Sequence, residues 1–97
     1  MKIIAEVIEF EWDEGNIGKN KKHKVEDVES EESFFDVGKK IFKDEIHSAQ
    51  EQRHRIIGKT KKGRLLFIVF TKRKNKIRII LARDINRKEI YLYEETT

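Results

Sequence analysis

The sequence predicts an α+β domain, in which an antiparallel sheet of about four strands carries helices packed mainly on one face. Three runs of β-type residues, His54–Lys59, Arg64–Thr71 and Lys76–Arg83, are joined by the short turns TKKG and KRKN, which indicates a meander of hairpins. An alternating run and an acidic stretch with helical spacing come before them, so the predicted order is β-α-α-β-β-β-α. We expect residues 1–97 to form a single domain.

The first half of the chain supplies one strand and two helices in this prediction. Apolar residues alternate along Ile3–Trp12, which is typical of a half-buried strand. Asp13 is expected to cap a short first helix. The apolar spacing that starts at Val25 predicts an amphipathic helix ending near Gly38. Lys39–Asp44 is ambiguous and can hold a short strand.

The second half of the chain has clearer patterns. Leu65–Phe70 is apolar at every position, so this strand is expected at the centre of the sheet, covered on both faces. Asp84 is expected to cap the last helix. In the run before it, strict alternation predicts two sets of side chains: Ile77, Ile79 and Leu81 on one face, and Arg78, Ile80 and Ala82 on the other.

Composition excludes several classes of protein. Because the chain has no cysteine, it has no disulfide, thiolate zinc site or cysteine nucleophile. Its longest apolar runs are far shorter than the ~20 residues that cross a bilayer. Glu6 and Glu9 interrupt the apolar stretch that a signal peptide needs. We therefore expect a soluble cytoplasmic protein without a membrane partner.

Charge is distributed unevenly along the chain, although the net charge is only +4. Residues Arg53–Lys88 contain 14 Lys and Arg against a single acid, Asp84, whereas Val25–Asp36 contains six acids and no base. A strongly positive surface attracts a polyanion. The alternative is that these cations only keep edge strands and turns in solution. So dense a run of cations favours nucleic acid as the ligand.

The chemistry available to the chain is limited. The sequence has no Gly-rich phosphate loop, HExxH or GxSxG motif. Its histidines, His23, His47 and His54, match no metal-binding spacing, so no metal site and no cofactor are expected. RNA cleavage fits this inventory, because RNA carries its own nucleophile, the 2′-hydroxyl. The protein then has to accept that proton, stabilise the phosphorane with arginine and protonate the leaving oxygen.

Six separated blocks of the chain resemble the BrnT toxin family, in that family's order and spacing. They are FEWDEGN at Phe10–Asn16, KN with KKHKV at Lys19–Val25, FFD at Phe34–Asp36, HS at His47–Ser48, IGKTKKGRLLFIVFT at Ile57–Thr71, and KIRIILARDINRKE at Lys76–Glu89, with YEE following at Tyr93–Glu95. Two departures concern the first helix. The family usually has one more residue between Asn20 and the Lys-His pair, and it commonly has glycine where this chain has Lys24.

The resemblance implies a RelE-like fold and a ribonuclease that acts as the toxin of a type II toxin–antitoxin module, inhibiting translation and growth. It also implies a BrnA antitoxin with a ribbon-helix-helix domain, assembled with the toxin as a heterotetramer that binds operator DNA. Two other hypotheses stay open from the residues alone. One is a non-catalytic nucleic-acid-binding or regulatory protein, and the other is an interaction protein that uses its charge only for its partner.

The chemistry and the resemblance together predict the site. Arg64, Arg78 and Arg83 are expected to stabilise phosphate charge, and His47 or His23 to transfer protons. The alternatives are a salt bridge from Arg83 to the following helix and one from Arg78 to an acid. Residues expected to contact RNA are Arg53, Lys72, Arg73, Arg87 and Tyr91. Structural roles are expected for His54 and for Trp12, whose alternation with Phe10 indicates core packing.

Overall fold

The computed structural model describes residues 8–44 and 51–95, and one five-stranded sheet organises them. In chain order the elements are β1 (Glu9–Phe10), a 3₁₀ helix (Lys19–His23), α1 (Asp27–Ser33), β2 (Lys40–Asp44), β3 (Arg53–Lys59), β4 (Leu65–Arg73), β5 (Lys76–Asp84) and α2 (Arg87–Glu94). The strands lie in the order β1-β5-β4-β3-β2. Strands β2 to β5 are antiparallel, whereas β1 pairs with β5 in parallel.

These elements confirm the α+β class and correct two details of it. The expected sheet of about four antiparallel strands is a mixed sheet of five, because the N-terminal strand and the short strand β2 occupy its two edges. The helices do not share one face. Val25 and Phe34 flank α1 and pack on one face, whereas Ile85 and Tyr93, at α2, pack on the other.

Strand β4 is central and contributes apolar side chains to both faces, as its sequence predicts. Leu66, Ile68 and Phe70 join the core beneath α1, and Phe67 and Val69 join the smaller core beneath α2. The residues of β3 divide in the same way, because antiparallel partners point to the same face. Trp12 packs at the margin of the α1 core and donates a hydrogen bond from Nε1 to Glu31 at 2.6 Å.

A β-bulge in β5 reverses the expected alternation. Val69 pairs with Leu81 and Phe70 pairs with Ile79, so that Ile80 is one extra residue. Ile79 therefore lies in the α1 core while Leu81 lies on the opposite face. The prediction that these two side chains share a face is wrong, because strict alternation fails at the bulge.

Where β5 extends past its pairing with the short strand β1, two buried asparagines form hydrogen bonds with its backbone groups. Asn16 donates from Nδ2 to the carbonyl of Ile79 at 3.1 Å and to that of Glu11 at 2.9 Å. Asn20 accepts a hydrogen bond from the backbone N–H of Ala82 at 2.9 Å. An unpaired buried backbone group costs about 1–3 kcal/mol. The turn and the 3₁₀ helix can therefore cover this edge of the sheet in place of a longer strand.

The helices at the start of the chain differ from their predicted limits. Asp13 accepts a hydrogen bond from the N–H of Gly15 at 2.8 Å within a turn, so it caps no helix. Lys24 ends the 3₁₀ helix in a left-handed conformation (φ 61°, ψ 34°), the geometry for which glycine is usually selected. The acidic helix α1 begins after Glu26 and ends before Gly38.

The last helix is capped by a different residue from the one expected. Asn86 accepts a hydrogen bond from the N–H of Glu89 at 3.0 Å, and Glu89 accepts one from the N–H of Asn86 at 2.9 Å. This reciprocal pair is a capping box. Asp84, the expected cap, instead binds Arg64 at 2.7 Å. Neither α-helix of residues 8–44 and 51–95 is long enough to cross a bilayer.

Tyr93 anchors α2 to the rest of the molecule. Its hydroxyl donates to Asp36 at 2.7 Å, and Asp36 also accepts from the N–H groups of Lys59 and Gly38. Burial alone would raise the pKa of Asp36, but these three hydrogen bonds hold it below its ordinary value. Burial and the bond to Asp36 raise the pKa of Tyr93 to about 12.

We predict that Gly58→Ala destabilises the fold. A Cβ atom at Gly58 would overlap the carbonyl oxygen of Ser33, where α1 crosses β3 most closely. Overpacking of this kind costs about 1–3 kcal/mol, and urea unfolding measures it. Gly18→Asn is the matched control, because Gly18 has a left-handed φ of 67° that asparagine tolerates and open space around it. Equal stability of the two variants would contradict this packing.

Candidate active site

Five arginines share one face of the sheet, which we call the arginine face: Arg53, Arg55, Arg73, Arg78 and Arg83. The strand register establishes this, since Arg53 and Arg78 are both paired with Thr71 and Arg83 is paired with Phe67. At one end of this face, Ile85 and Tyr93 cover its apolar residues. At its other end, three of the arginines line a cavity.

A cavity of about 200 Å³ lies at the open end of the arginine face. We call it the arginine cavity, because Arg53, Arg73 and Arg78 line it together with Glu51. The start of β3, the end of β4 and the start of β5 meet here, so each strand contributes one guanidinium group. Liquid water occupies ≈30 Å³ per molecule. The cavity therefore has room for a phosphodiester group.

Arg78 is held in place by the turn that follows β1. Its Nη1 and Nη2 donate to the two carboxylate oxygens of Asp13 at 2.8 and 3.0 Å, and Nη1 also donates to Glu11 at 3.2 Å. The hydrogen bonds from Arg78 hold the pKa of Asp13 below its ordinary value. A Cβ atom at Gly15 would lie 2.6 Å from Nη2 of Arg78. The glycine therefore permits this close approach.

Arg73 forms a two-point ion pair with Glu51. Its Nε and Nη2 donate to the two carboxylate oxygens of Glu51 at 3.0 and 2.9 Å. This hydrogen bonding lowers the pKa of Glu51 and raises that of Arg73. Glu51 was not a predicted site residue. Its only signal in the sequence is its position two residues before Arg53, within EQR.

The carboxylates in and beside the arginine cavity are partly exposed and can share the guanidinium groups with a phosphate. The side chains of Arg73 and Glu51 are 46% and 35% exposed, whereas that of Arg78 is 14% exposed and that of its partner Asp13 is 55% exposed. Ion pairs between exposed side chains contribute little to stability, because water and salt screen them. These carboxylates therefore orient the guanidinium groups while leaving them able to bind an anion.

Arg83 lies on the same face but in a more enclosed setting. It donates to both carboxylate oxygens of Glu89 at 3.0 and 2.8 Å, and its guanidinium carbon lies 4.1 Å from the ring centroid of Phe67. Burial would raise the pKa of Glu89, but the bonds from Arg83 and from the N–H of Asn86 lower it. The salt bridge from Arg83 to the last helix, which was the alternative prediction for this residue, is therefore present. Arg83 lies five positions along β5 from Arg78, or about 15 Å.

Arg64 lies at the opposite end of β4 and contacts the elements beneath α1. It binds Asp84 at 2.7 Å, Glu29 at 3.1 Å and the carbonyl of Lys24 at 2.7 Å. The hydrogen bond with Asp84 raises the pKa of Arg64. Arg64 lies nine positions along the chain from Arg73, or about 30 Å in an extended strand. The structure therefore corrects the expectation that Arg64, Arg78 and Arg83 converge on one phosphodiester.

The histidines of the described residues lie away from the arginine cavity. His23 ends the 3₁₀ helix, and its carbonyl accepts a hydrogen bond from Arg64 at 3.5 Å. His54 stacks on Phe70 beneath α1, where burial and then Lys43 lower its pKa. The predicted catalytic residue His47 lies outside the described residues.

The remaining predicted RNA contacts are dispersed. Lys72 is exposed and pairs with Ile77, which places it on the face opposite to the arginines. Arg87 and Tyr91 are exposed on α2. In residues 8–44 and 51–95, no three acidic or histidine side chains cluster in a way that could hold a metal ion.

A larger groove of about 660 Å³ lies beside α1, and its chemistry is different. Exposed apolar side chains of Val28, Phe35 and Val37 line it, together with acidic residues of α1 and the lysines Lys59 and Lys61. It contains no arginine among the described residues. The arginine cavity is therefore the better candidate for binding a polyanion.

A comparison with family models matches residues 12–89 to the family described as "Ribonuclease toxin, BrnT, of type II toxin-antitoxin system". The matched range includes Glu51 and all five arginines of the arginine face. A search among curated proteins finds no significant match. The resemblance expected from the sequence blocks is therefore confirmed at the level of the family.

We predict that Arg83→Ala lowers the free energy of unfolding by about 1–3 kcal/mol, because it leaves the Glu89 carboxylate unpaired. The Glu89 side chain is only 11% exposed and that of Arg83 is 32% exposed. Urea unfolding of the single and double variants isolates the pair energy. Arg87→Ala, on the exposed side of the same helix, should change stability by less than about 0.5 kcal/mol. No coupling between Arg83 and Glu89 would contradict the assignment.

Proposed function

Because this chain belongs to the BrnT family of ribonuclease toxins, we propose that it cleaves RNA at the arginine cavity, by attack of a 2′-hydroxyl on the adjacent phosphodiester and without a metal ion. One observation carries the choice of site. Arg53, Arg73 and Arg78 come from three different strands and line the same small cavity. Positioned cations suit a reaction in which the substrate supplies its own nucleophile.

The guanidinium groups stabilise the transition state electrostatically. Attack of the 2′-oxygen places additional negative charge on the non-bridging phosphate oxygens. Arginine can bind two such oxygens at once through its planar fork. Arg78 is oriented by Asp13 and Arg73 by Glu51, so both guanidinium groups line the cavity before RNA binds. Loss of one such donor typically costs 10²–10³-fold in rate.

The rest of the arginine face binds RNA on either side of the reacting group. Arg83 lies about 15 Å along the strand from Arg78, so it contacts a different phosphate from the one in the arginine cavity. Exposed Arg87 and Tyr91 extend this surface along α2, where the phenol ring can stack on an unpaired base. Because phosphate contacts release counterions, RNA affinity falls steeply with salt concentration.

Proton transfer to the leaving 5′-oxygen requires a general acid. Histidine suits this step near neutral pH. His23 lies with Arg64, at the opposite end of the sheet from the arginine cavity. Of the two histidines expected to transfer protons, we therefore propose His47 as the general acid.

A type II toxin–antitoxin family implies a protein antitoxin as the partner. We propose that this partner is a BrnA-like protein with a ribbon-helix-helix domain, which binds operator DNA as part of a heterotetramer. Acidic or apolar side chains of the antitoxin would then cover the arginine cavity and exclude RNA. Without the antitoxin, RNA cleavage by this protein inhibits translation and growth.

We predict that the purified protein cleaves RNA in the presence of EDTA and leaves 2′,3′-cyclic phosphate ends. Arg73→Gln should reduce the cleavage rate about 10²–10³-fold, because it removes one donor to the phosphorane. Lys62→Gln is the charge-matched control, since Lys62 is exposed in the turn at the opposite end of the sheet. Gel analysis of a defined oligoribonucleotide measures both rates, and circular dichroism confirms folding.

Three results would contradict the proposal. Equal rates for Arg73→Gln and Lys62→Gln would exclude the arginine cavity as the site. Loss of wild-type cleavage in EDTA would show that a metal ion is required. RNA binding without any cleavage would favour the non-catalytic nucleic-acid-binding protein.

A further inference from the structure

We propose that Glu51 is the general base that removes the proton from the attacking 2′-hydroxyl. This inference rests on the proposed ribonuclease function and assigns one step of it. Among the described residues that line the arginine cavity, Glu51 is the only carboxylate. The carboxylates of Glu11 and Asp13 bind Arg78 but do not line the cavity.

Glu51 is positioned by the same arginine that would bind the phosphate. Both of its oxygens accept hydrogen bonds from Arg73, at 3.0 and 2.9 Å. An ionised carboxylate has about four lone-pair sites, so each oxygen keeps one for a further donor. In RNA, the 2′-hydroxyl and the phosphodiester that it attacks belong to the same nucleotide. A phosphate bound by Arg73 therefore brings the hydroxyl close to Glu51.

The step balances without a further reactant. The Glu51 carboxylate accepts the proton of the 2′-hydroxyl while the 2′-oxygen forms its bond to phosphorus. The bond from phosphorus to the 5′-oxygen breaks, and that oxygen leaves with a proton from a general acid or from water. The products are a 2′,3′-cyclic phosphate end and a 5′-hydroxyl end, and the Glu51 carboxyl group then returns its proton to solvent.

The charges around Glu51 determine when it can act as a base. The groups that act on it are Arg73 of β4, Arg53 of β3 and Arg78 of β5, all cationic. The hydrogen bonds from Arg73 hold the pKa of Glu51 below its ordinary value, whereas an unperturbed histidine has a pKa of about 6.5. A base must be deprotonated to act. Activity limited by Glu51 therefore persists from pH 7 to pH 5, where activity limited by a histidine base declines.

The test compares Glu51→Gln with the wild-type protein on one oligoribonucleotide in EDTA. General base catalysis typically contributes 10²–10⁴-fold, so kcat should fall by about that factor while KM is unchanged or lower. Affinity for the same oligonucleotide with a 2′-deoxy group at the cleaved position should be equal or tighter, because a negative charge has been removed beside three arginines. Glu51→Asp should restore part of the rate.

The remaining outcomes separate this inference from the proposed function. If Glu51→Gln cleaves at the wild-type rate, or if wild-type kcat/KM declines below about pH 6.5, Glu51 is not the base although the ribonuclease proposal stands. If Glu51→Gln lowers the cleavage rate and the affinity for the 2′-deoxy oligonucleotide by the same factor, Glu51 positions Arg73 and is not the base. A wild-type protein that does not cleave RNA at all overturns both proposals.

Discussion

The extra residue Ile80 in β5 determines which side chains lie on the arginine face. Arg78 and Arg83 are five positions apart, so strict alternation would place them on opposite faces. The bulge at Ile80 puts both on the arginine face and buries Ile79 in the core beneath α1. Asn16 stabilises this arrangement by donating to the carbonyl of Ile79. The arginine cavity depends on this local change in register.

Charge along the chain is partly neutralised by the fold, and the arginines differ in the elements that their ion pairs join. Glu29 and Asp13, from the acidic half of the chain, pair with Arg64 and Arg78 from the basic half. Arg64 and Arg83 have several partners each, and these join the helices to the sheet. The ion pairs of Arg73 and Arg78 instead join strands to the segments beside them, with Glu51 before β3 and Asp13 in the turn after β1.

Local pattern predicted strands β3, β4 and β5, and the resemblance of sequence blocks predicted the family, but neither predicted the geometry of the site. The apolar run of β4 has the central position that it indicated, because burial on both faces is a property of the run itself. The bulge leaves no signal within an unbroken apolar run, and the pairing of Glu51 with Arg73 joins residues 22 positions apart. The N-cap at Asn86 could have been predicted from the sequence, because Glu89 completes a capping box three residues later.

The most direct test of the shared cavity follows the arginine Nε–H signals by NMR while an oligonucleotide with a 2′-deoxy group at the cleaved position is added. If Arg53, Arg73 and Arg78 bind one phosphate, their three signals shift together with a single dissociation constant. The Arg64 signal stays unchanged, because this residue lies about 30 Å along β4 from Arg73. Shifts at Arg64 without shifts at Arg78 would contradict the account.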